Sequence, residues 1–140
     1  MSFVKADFHC IFSTKNRRRI IEADLRTSLW PYMGGIARNN KIHPICINGV
    51  DDHVHLLLSL PSTLPICKAM QYVKGGSSKW IHETYPSLNT FAWQKMYAAF
   101  SVSHSQRQAV VRYIQNQDHH HRIKGFKEEL IEFLNAHDIE

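Results

Sequence analysis

His53 and His55 stand two positions apart in DDHVHLLLSL, residues 51–60, with a single valine between them. In a β-strand, residues i and i+2 share a face while i+1 points to the other. The two imidazoles therefore lie side by side, and Val54 faces the opposite way. Their Cα atoms fall about 6–7 Å apart, which lets both rings converge on one ion. Neutral imidazole is a good ligand for divalent metals, so the pair reads as half of a metal site. Asp52, just before them, can orient one ring from outside or can simply end a turn. The competing reading is two partly buried histidines satisfied by backbone groups. With ten histidines in 140 residues, so short a pattern also arises by chance. Two ligands do not complete a site in any case, and a third must come from elsewhere in the chain.

The segment VVRYIQNQDHHHR, residues 110–122, offers one. Tyr113 and Gln117 are four apart, which stacks them on one face of a helix. A phenol with an amide one turn below it can present a nucleophile and a ligating oxygen to the same point. His120 and His121 extend that broad face by another turn. Consecutive helical residues point about 100° apart, so the three histidines 119–121 cannot share one ion, and His119 is expected to face solvent. Against this, a tyrosine at helical spacing is often plain core packing.

These groups need elements to hold them. Residues 3–13 (FVKADFHCIFS) mix alternation with an apolar end and predict a strand. The basic cluster from Lys15 to Arg19 predicts a loop. Leu25, Leu29, Met33 and Ile36 recur at helical spacing between Glu22 and Asn39, with Pro31 expected to kink or restart that helix. Residues 42–50 predict a strand closing at Asn48-Gly49, and residues 53–60 predict the next, so the two form a hairpin. A second helix is expected to start between Ser62 and Pro65 with a hydroxyl cap. It runs through Ile66, Met70, Val73, Ser77 and Trp80, interrupted at Gly75-Gly76 unless backbone must approach something closely there. Residues 91–103 (FAWQKMYAAFSVS) predict the last strand. Ser103 and Gln106 form a capping-box start for a third helix reaching about Arg122. Lys124-Gly125 breaks it, and Phe126, Leu130, Phe133 and Leu134 mark a short terminal helix. The order β-α-β-β-α-β followed by helices predicts a ferredoxin-like split βαβ, an α+β antiparallel sheet with helices on one face. Such a fold decides no function by itself.

Composition sets the outer bounds. A chain of 140 residues can bury one core without staples and predicts a single domain over 1–140. No apolar run approaches the ~20 residues needed to span a bilayer. The first nineteen residues carry their charges after a short alternating segment, the reverse of a secretory signal, so a cytosolic protein is expected. Cys10, Cys46 and Cys67 are odd in number and far apart in apolar contexts, and read as small core residues. From Glu128 onward there are five acidic residues and no Lys or Arg, so residues 1–127 carry 17 basic against 7 acidic groups. A basic body with a short acidic tail fits a polyanionic partner, most commonly nucleic acid, although solubility charge would look the same.

The motifs taken in order resemble the HUH-type single-tyrosine transposases of the smallest bacterial insertion sequences and their REP-associated tyrosine transposase relatives. The resemblance spans nearly the whole chain: FSTKNRRR after the first strand, INGVDDHVHLLLSLP, KGGSSKW in the second helix, WQKMYAAFSVS, and YIQNQDHH. It departs at Ala98, where many relatives have glycine, and at Gly76, where a basic residue is common. By this resemblance Tyr113 is the catalytic tyrosine, His53 and His55 bind metal, and Gln117 is the third ligand. The implied cofactor is Mg²⁺ or Mn²⁺, and mixed N and O ligation suits Mn²⁺ somewhat better. The implied reaction is transesterification on single-stranded DNA through a 5′-phosphotyrosine, with no ATP. The implied partner is DNA with a hairpin or palindromic end, bound by a dimer whose active sites can be shared between subunits. Lys15, Arg17, Arg18, Arg19, Lys74, Lys79, Arg112, Arg122 and Lys124 are the basic side chains expected to grip the backbone. Tyr72, Trp80 and Trp93 are expected either to stack on bases or to pack in the core. Two other readings stand beside this one: a domesticated, replication or relaxase-type nicking enzyme, and a non-catalytic ferredoxin-like nucleic-acid-binding module.

Overall fold

The computed structural model describes residues 3–117, 125–137 and 139. The predicted continuation of the third helix, with His119, His120, His121, Arg122 and Lys124, lies outside the described residues. Four strands, β1 (Ala6–Ser13), β2 (His43–Gly49), β3 (His53–Leu60) and β4 (Ala98–Ser101), form one sheet in the order β2-β3-β1-β4. Every neighbouring pair is antiparallel. Helices α1 (Ala23–Asn39) and α2 (Ile66–Thr84) are the two split-βαβ crossovers, while α3 (Arg107–Gln115) and α4 (Phe126–Ala136) follow the sheet.

Strand parity divides the sheet into two faces with different contents. Cys10, Phe12, Val54, Leu56 and Leu58 pack with Leu25, Leu29 and Met33 of α1 and Met70, Val73 and Ile81 of α2 in the main core. Each such side chain taken out of water stabilises the fold by roughly 1.5–3 kcal/mol. The alternate residues His9, Ile11, Ser13, His53, His55 and Leu57 face the other way. There Ile11 and Phe100 meet Phe126, Leu130, Phe133 and Leu134 of α4 in a smaller apolar cluster. Both histidines thus sit on the face that α1 and α2 leave open.

Several expectations are corrected. Pro31 does not break α1, because it lies on the exposed side and the carbonyl it leaves free, on exposed Thr27, faces water. Gly75-Gly76 does not interrupt α2, and Gly76 packs so close to Ile36 of α1 that an added Cβ would come within 2.9 Å of Ile36 Cδ1. The last strand is only four residues long. Residues 91–97 are held instead by Phe91 and Trp93, whose rings meet edge to face, and by Trp93 against Phe12. Pro65, not Ser62, precedes α2; Ser103 does stand at the start of the 3₁₀ turn His104–Gln106 that leads into α3, but its hydroxyl makes no capping bond. α3 ends at Gln115, short of Arg122. Of the cysteines, Cys10 is core, Cys46 is half-buried, and Cys67 is exposed, since it falls off the buried stripe of α2.

Asn48-Gly49 is not the hairpin turn. Both belong to β2, and the reversal is made by residues 50–52, where Val50 N donates to His53 O at 3.1 Å. Gly49 is required by close approach: a Cβ there would lie 2.3 Å from His53 O and 2.9 Å from Val54 Cα. Backbone cannot yield as a flexible side chain can, so Gly49→Ala is expected to cost about 2–3 kcal/mol, at the upper end of overpacking. Gly75→Ala, with nothing within 4 Å of the new methyl, is the control and is expected to stabilise α2 by up to about 1 kcal/mol. Urea denaturation of the two variants checks both signs.

Candidate active site

β3 lies between β2 and β1, so the backbone around its histidines is tied on both sides: His53 is registered on Ser13, and His55 on Ile11 and Asn48. Both rings are buried, His53 at 1% and His55 at 0% exposure. Their outer nitrogens are occupied. His53 Nδ1 lies 2.7 Å from Asp52 Oδ1, which gives Asp52 the orienting role rather than only a turn. His55 Nδ1 lies 2.8 Å from Nε2 of His9 on β1. What remains is two Nε2 atoms aimed at a common point.

Three more side chains reach that point. Gln117 Oε1 is 3.3 Å from His53 Nε2, with the residue only 1% exposed. Glu129 of α4 places Oε1 at 3.2 Å from His53 Nε2 and 2.7 Å from His55 Nε2. The Tyr113 hydroxyl donates to the other oxygen of the same carboxylate, Glu129 Oε2. Tyr113 is half-buried, its ring edge-on to Phe133 at 5.3 Å and to His55 at 5.7 Å. Asn48 Nδ2 donates to the carbonyls of Ile114 and Gln115 at 2.9 and 3.4 Å, fastening the end of the tyrosine helix to β2.

The charges are strongly coupled. Burial alone would lower the His53 pKa, but its hydrogen bonds to Asp52 and Glu129 outweigh burial and lift it to about 9. Burial would raise Glu129, yet hydrogen bonds from His53 and His55 hold its carboxyl well below the usual carboxylate range. Burial, then the Glu129 carboxylate, pushes the Tyr113 phenol well above its ordinary value. His9 is driven down to about 3, first by burial and then by His55.

The donor set fits a divalent cation. His53, His55 and Glu129 bring their ligand atoms within 4.8 Å of one another. Octahedral bonds of 2.0–2.1 Å require neighbouring ligands about 3 Å apart, close to the 3.3 Å from His53 to Gln117 and the 3.2 and 2.7 Å from His53 and His55 to Glu129.

The basic residues divide by position. Lys15, Arg17, Arg18 and Arg19 are exposed on the turn that leaves β1 immediately after Ser13, the register partner of His53. Asn16 and Arg17 hold φ of 59° and 53°, an unusual left-handed pair. Arg112 is exposed beside Tyr113. Lys74 is engaged within the fold, its Nζ donating to the carbonyls of Gln94, Lys95 and Met96 at 2.5, 3.1 and 3.3 Å. Lys79 pairs with Glu83 at 3.9 Å on α2, on the far side of the sheet from the histidines. Trp93 is core and donates to Ser77 Oγ at 2.9 Å, Trp80 stacks on Tyr32 at 4.6 Å, and Tyr72 is exposed.

Glu129 is the principal residue that sequence reasoning passed over, having grouped it with the acidic tail. A signal was present: it lies three after Phe126 and four before Phe133, on the buried stripe of α4, at 4% exposure. His9 and Asn48 carry no such local mark.

The family described as IS200-like transposases matches residues 2–117, and this chain belongs to it. It is 28% identical over 116 residues to the ISDra2 transposase TnpA of Deinococcus radiodurans, covering 79% of this chain and 83% of that one. It is 25% identical over 81 residues to the transposase of insertion sequence element IS200 from Salmonella typhimurium, 58% of this chain and 53% of the relative. A transposase structure from D. radiodurans superimposes with a TM-score of 0.70 at 26% identity, over 83% of this chain and 93% of the other. The structure of a REP-associated tyrosine transposase bound to a REP hairpin shares the fold, with a TM-score of 0.65 at 15% identity over 86% and 72%.

Proposed function

We propose that this chain cleaves and rejoins single-stranded DNA by transesterification through a covalent 5′-phosphotyrosine on Tyr113. The observation that carries the reading is the convergence of the Tyr113 hydroxyl and both histidine Nε2 atoms on one carboxylate, Glu129. In the forward step the Tyr113 oxygen bonds to phosphorus and the bond to the 3′-oxygen breaks, leaving a free 3′-hydroxyl. A 3′-hydroxyl then attacks the phosphotyrosine, and the phenol is restored. One phosphodiester replaces another, so ATP has no place in the cycle.

His53, His55 and Gln117 would hold Mg²⁺ or Mn²⁺, with Glu129 added to the set. When bound, such an ion polarises the scissile phosphate and offsets charge on the leaving oxygen. The chain's own groups do the rest. Asp52 fixes the ring of His53, Glu129 Oε2 positions the Tyr113 hydroxyl by accepting its hydrogen bond, and Asn48 holds the tyrosine helix in place. His53, His55, Gln117 and Glu129 are all at most 4% exposed, whereas Tyr113 is half-buried and is the more accessible group of the site.

The substrate is a single strand with a hairpin or palindromic end, gripped by the turn from Lys15 to Arg19 and by Arg112; the REP-associated neighbour is bound to a REP hairpin, which supports the hairpin part of this reading. A homodimer in the bacterial or archaeal cytosol completes the proposal, and no described helix is long and apolar enough to cross a membrane.

The test is to mix the protein with Mn²⁺ and labelled hairpin-bearing single strands, then look for an adduct that survives denaturation. Peptide mass analysis should place the DNA on Tyr113, and a chelator should abolish the adduct. A protein that binds these strands but forms no adduct is the non-catalytic module instead.

A further inference from the structure

The two site histidines have unequal outer partners. His53 Nδ1 faces a carboxylate, which can only accept a hydrogen bond, whereas His55 Nδ1 faces a second imidazole, which can accept or donate. That imidazole, His9, is 2% exposed, its ring centroid 5.0 Å from that of His55 and held edge-on by Phe133 at 4.9 Å. Its Nε2 meets His55 Nδ1 at 2.8 Å, and one hydrogen lies between them. We propose that His9 is a positioning residue for the metal site: it sets which nitrogen of His55 carries hydrogen, and so whether Nε2 is free to hold a cation.

The two arrangements follow from atom counting. In the first, a neutral His55 donates Nε2–H to Glu129 Oε1 at 2.7 Å, which leaves Nδ1 to accept from His9 Nε2–H. To ligate, His55 must carry its hydrogen on Nδ1 and give it to His9 Nε2, whose own hydrogen then resides on Nδ1. Two hydrogens are present on the pair before and after, and no net charge changes. An aspartate in place of His9 could serve the second arrangement but not the first. His9 also borders a second cleft of about 360 Å³, with Ser101, Ser103, Gln106 and His137, on the other side of its ring from the metal position. In the exchange the hydrogen on His55 Nε2 leaves on the Glu129 side, and the cleft is where His9 Nδ1 can gain its own.

This inference rests on the metal reading above, and the test separates the two. Mn²⁺ affinity is measured by titration calorimetry on the full chain, for wild type, His53→Ala, His9→Gln and His9→Met. Glutamine both donates and accepts, while methionine of similar size does neither at useful strength. Loss of an outer partner typically costs 10–100-fold in metal affinity. His9→Met is therefore expected to bind Mn²⁺ about 10–100-fold more weakly than wild type, and His9→Gln within about threefold. If wild type binds no Mn²⁺, or His53→Ala binds as wild type does, the metal reading fails. If wild type binds but His9→Met equals it, or His9→Gln falls as far as His9→Met, the role of His9 is overturned. Long-range ¹H–¹⁵N spectra of wild type decide independently of whether the variants fold. His55 should carry its hydrogen on Nε2 without metal and on Nδ1 with Mg²⁺, and an unchanged tautomer would sink the proposal.

Discussion

Tyr113→Phe is expected to abolish the covalent DNA adduct and to lower strand cleavage by on the order of 10⁴-fold or more, as removal of a nucleophile does elsewhere. The change deletes one oxygen and leaves the ring that packs on Phe133 and His55. The fold should therefore survive. The lost hydrogen bond to the charged Glu129 costs about 1–2 kcal/mol, and binding of the uncleaved strand should stay close to wild type. A denaturing gel reads the adduct, and a melting curve confirms that the variant is folded. An adduct that persists in the phenylalanine variant would falsify the assignment of the nucleophile, however well the site binds metal.

Glu129→Ala is the second large effect, and it separates structure from chemistry. This carboxylate is the common partner of His53, His55 and Tyr113. Breaking a buried charge pair from one side typically costs 3–5 kcal/mol. A loss of about 3 kcal/mol is expected here, because Asp52 still partners His53. Urea denaturation with and without Mn²⁺ is the measurement. Binding to the native state adds RT ln(1 + [L]/Kd) to stability, so wild type should gain more from added metal than the alanine variant does. Glu129→Gln keeps an acceptor for the phenol and should retain more of the metal-free stability, while still binding metal more weakly. Equal stabilisation of wild type and Glu129→Ala by Mn²⁺ would show that Glu129 is a bystander to metal binding.

The half of the site that was legible in the sequence is the half set by local periodicity. A spacing of two put His53 and His55 on one face of β3, and a spacing of four put Tyr113 and Gln117 on one side of a helix end. The folded chain brings Gln117 to His53 and, through Glu129, Tyr113 to both histidines. The remainder depends on pairings across distant parts of the chain. His9 meets His55 across 46 residues and Asn48 meets Ile114 across 66, and nothing in either neighbourhood announces the partner. Glu129 was hidden twice over. Its charge grouped it with a solvated tail, and the family match ends at residue 117, before α4 begins. Lys74 shows the converse error, a cation read as phosphate-facing because the three carbonyls it binds lie in a loop that looked like a strand. The fold itself was readable because the β-α-β-β-α-β order constrains the sheet. The misjudged end was the segment before β4, where Phe91 and Trp93 fill the core and one antiparallel bridge, Thr14 with Trp93, replaces the longer ladder of a strand.

β3 alternates the two duties of the protein residue by residue: His53, His55 and Leu57 face the site, and Val54, Leu56 and Leu58 face the main core. Evolution of this strand by insertion or deletion is therefore all-or-none. Adding or losing one residue inside β3 turns over every side chain beyond it, sending site residues into the main core and leucines onto the cation position. Adding two restores the faces but slides the histidines one full repeat along β1, away from Ser13 and Ile11. Length variation among descendants of this chain should thus gather in the connections around the sheet, and the eight residues of β3 should change by substitution alone.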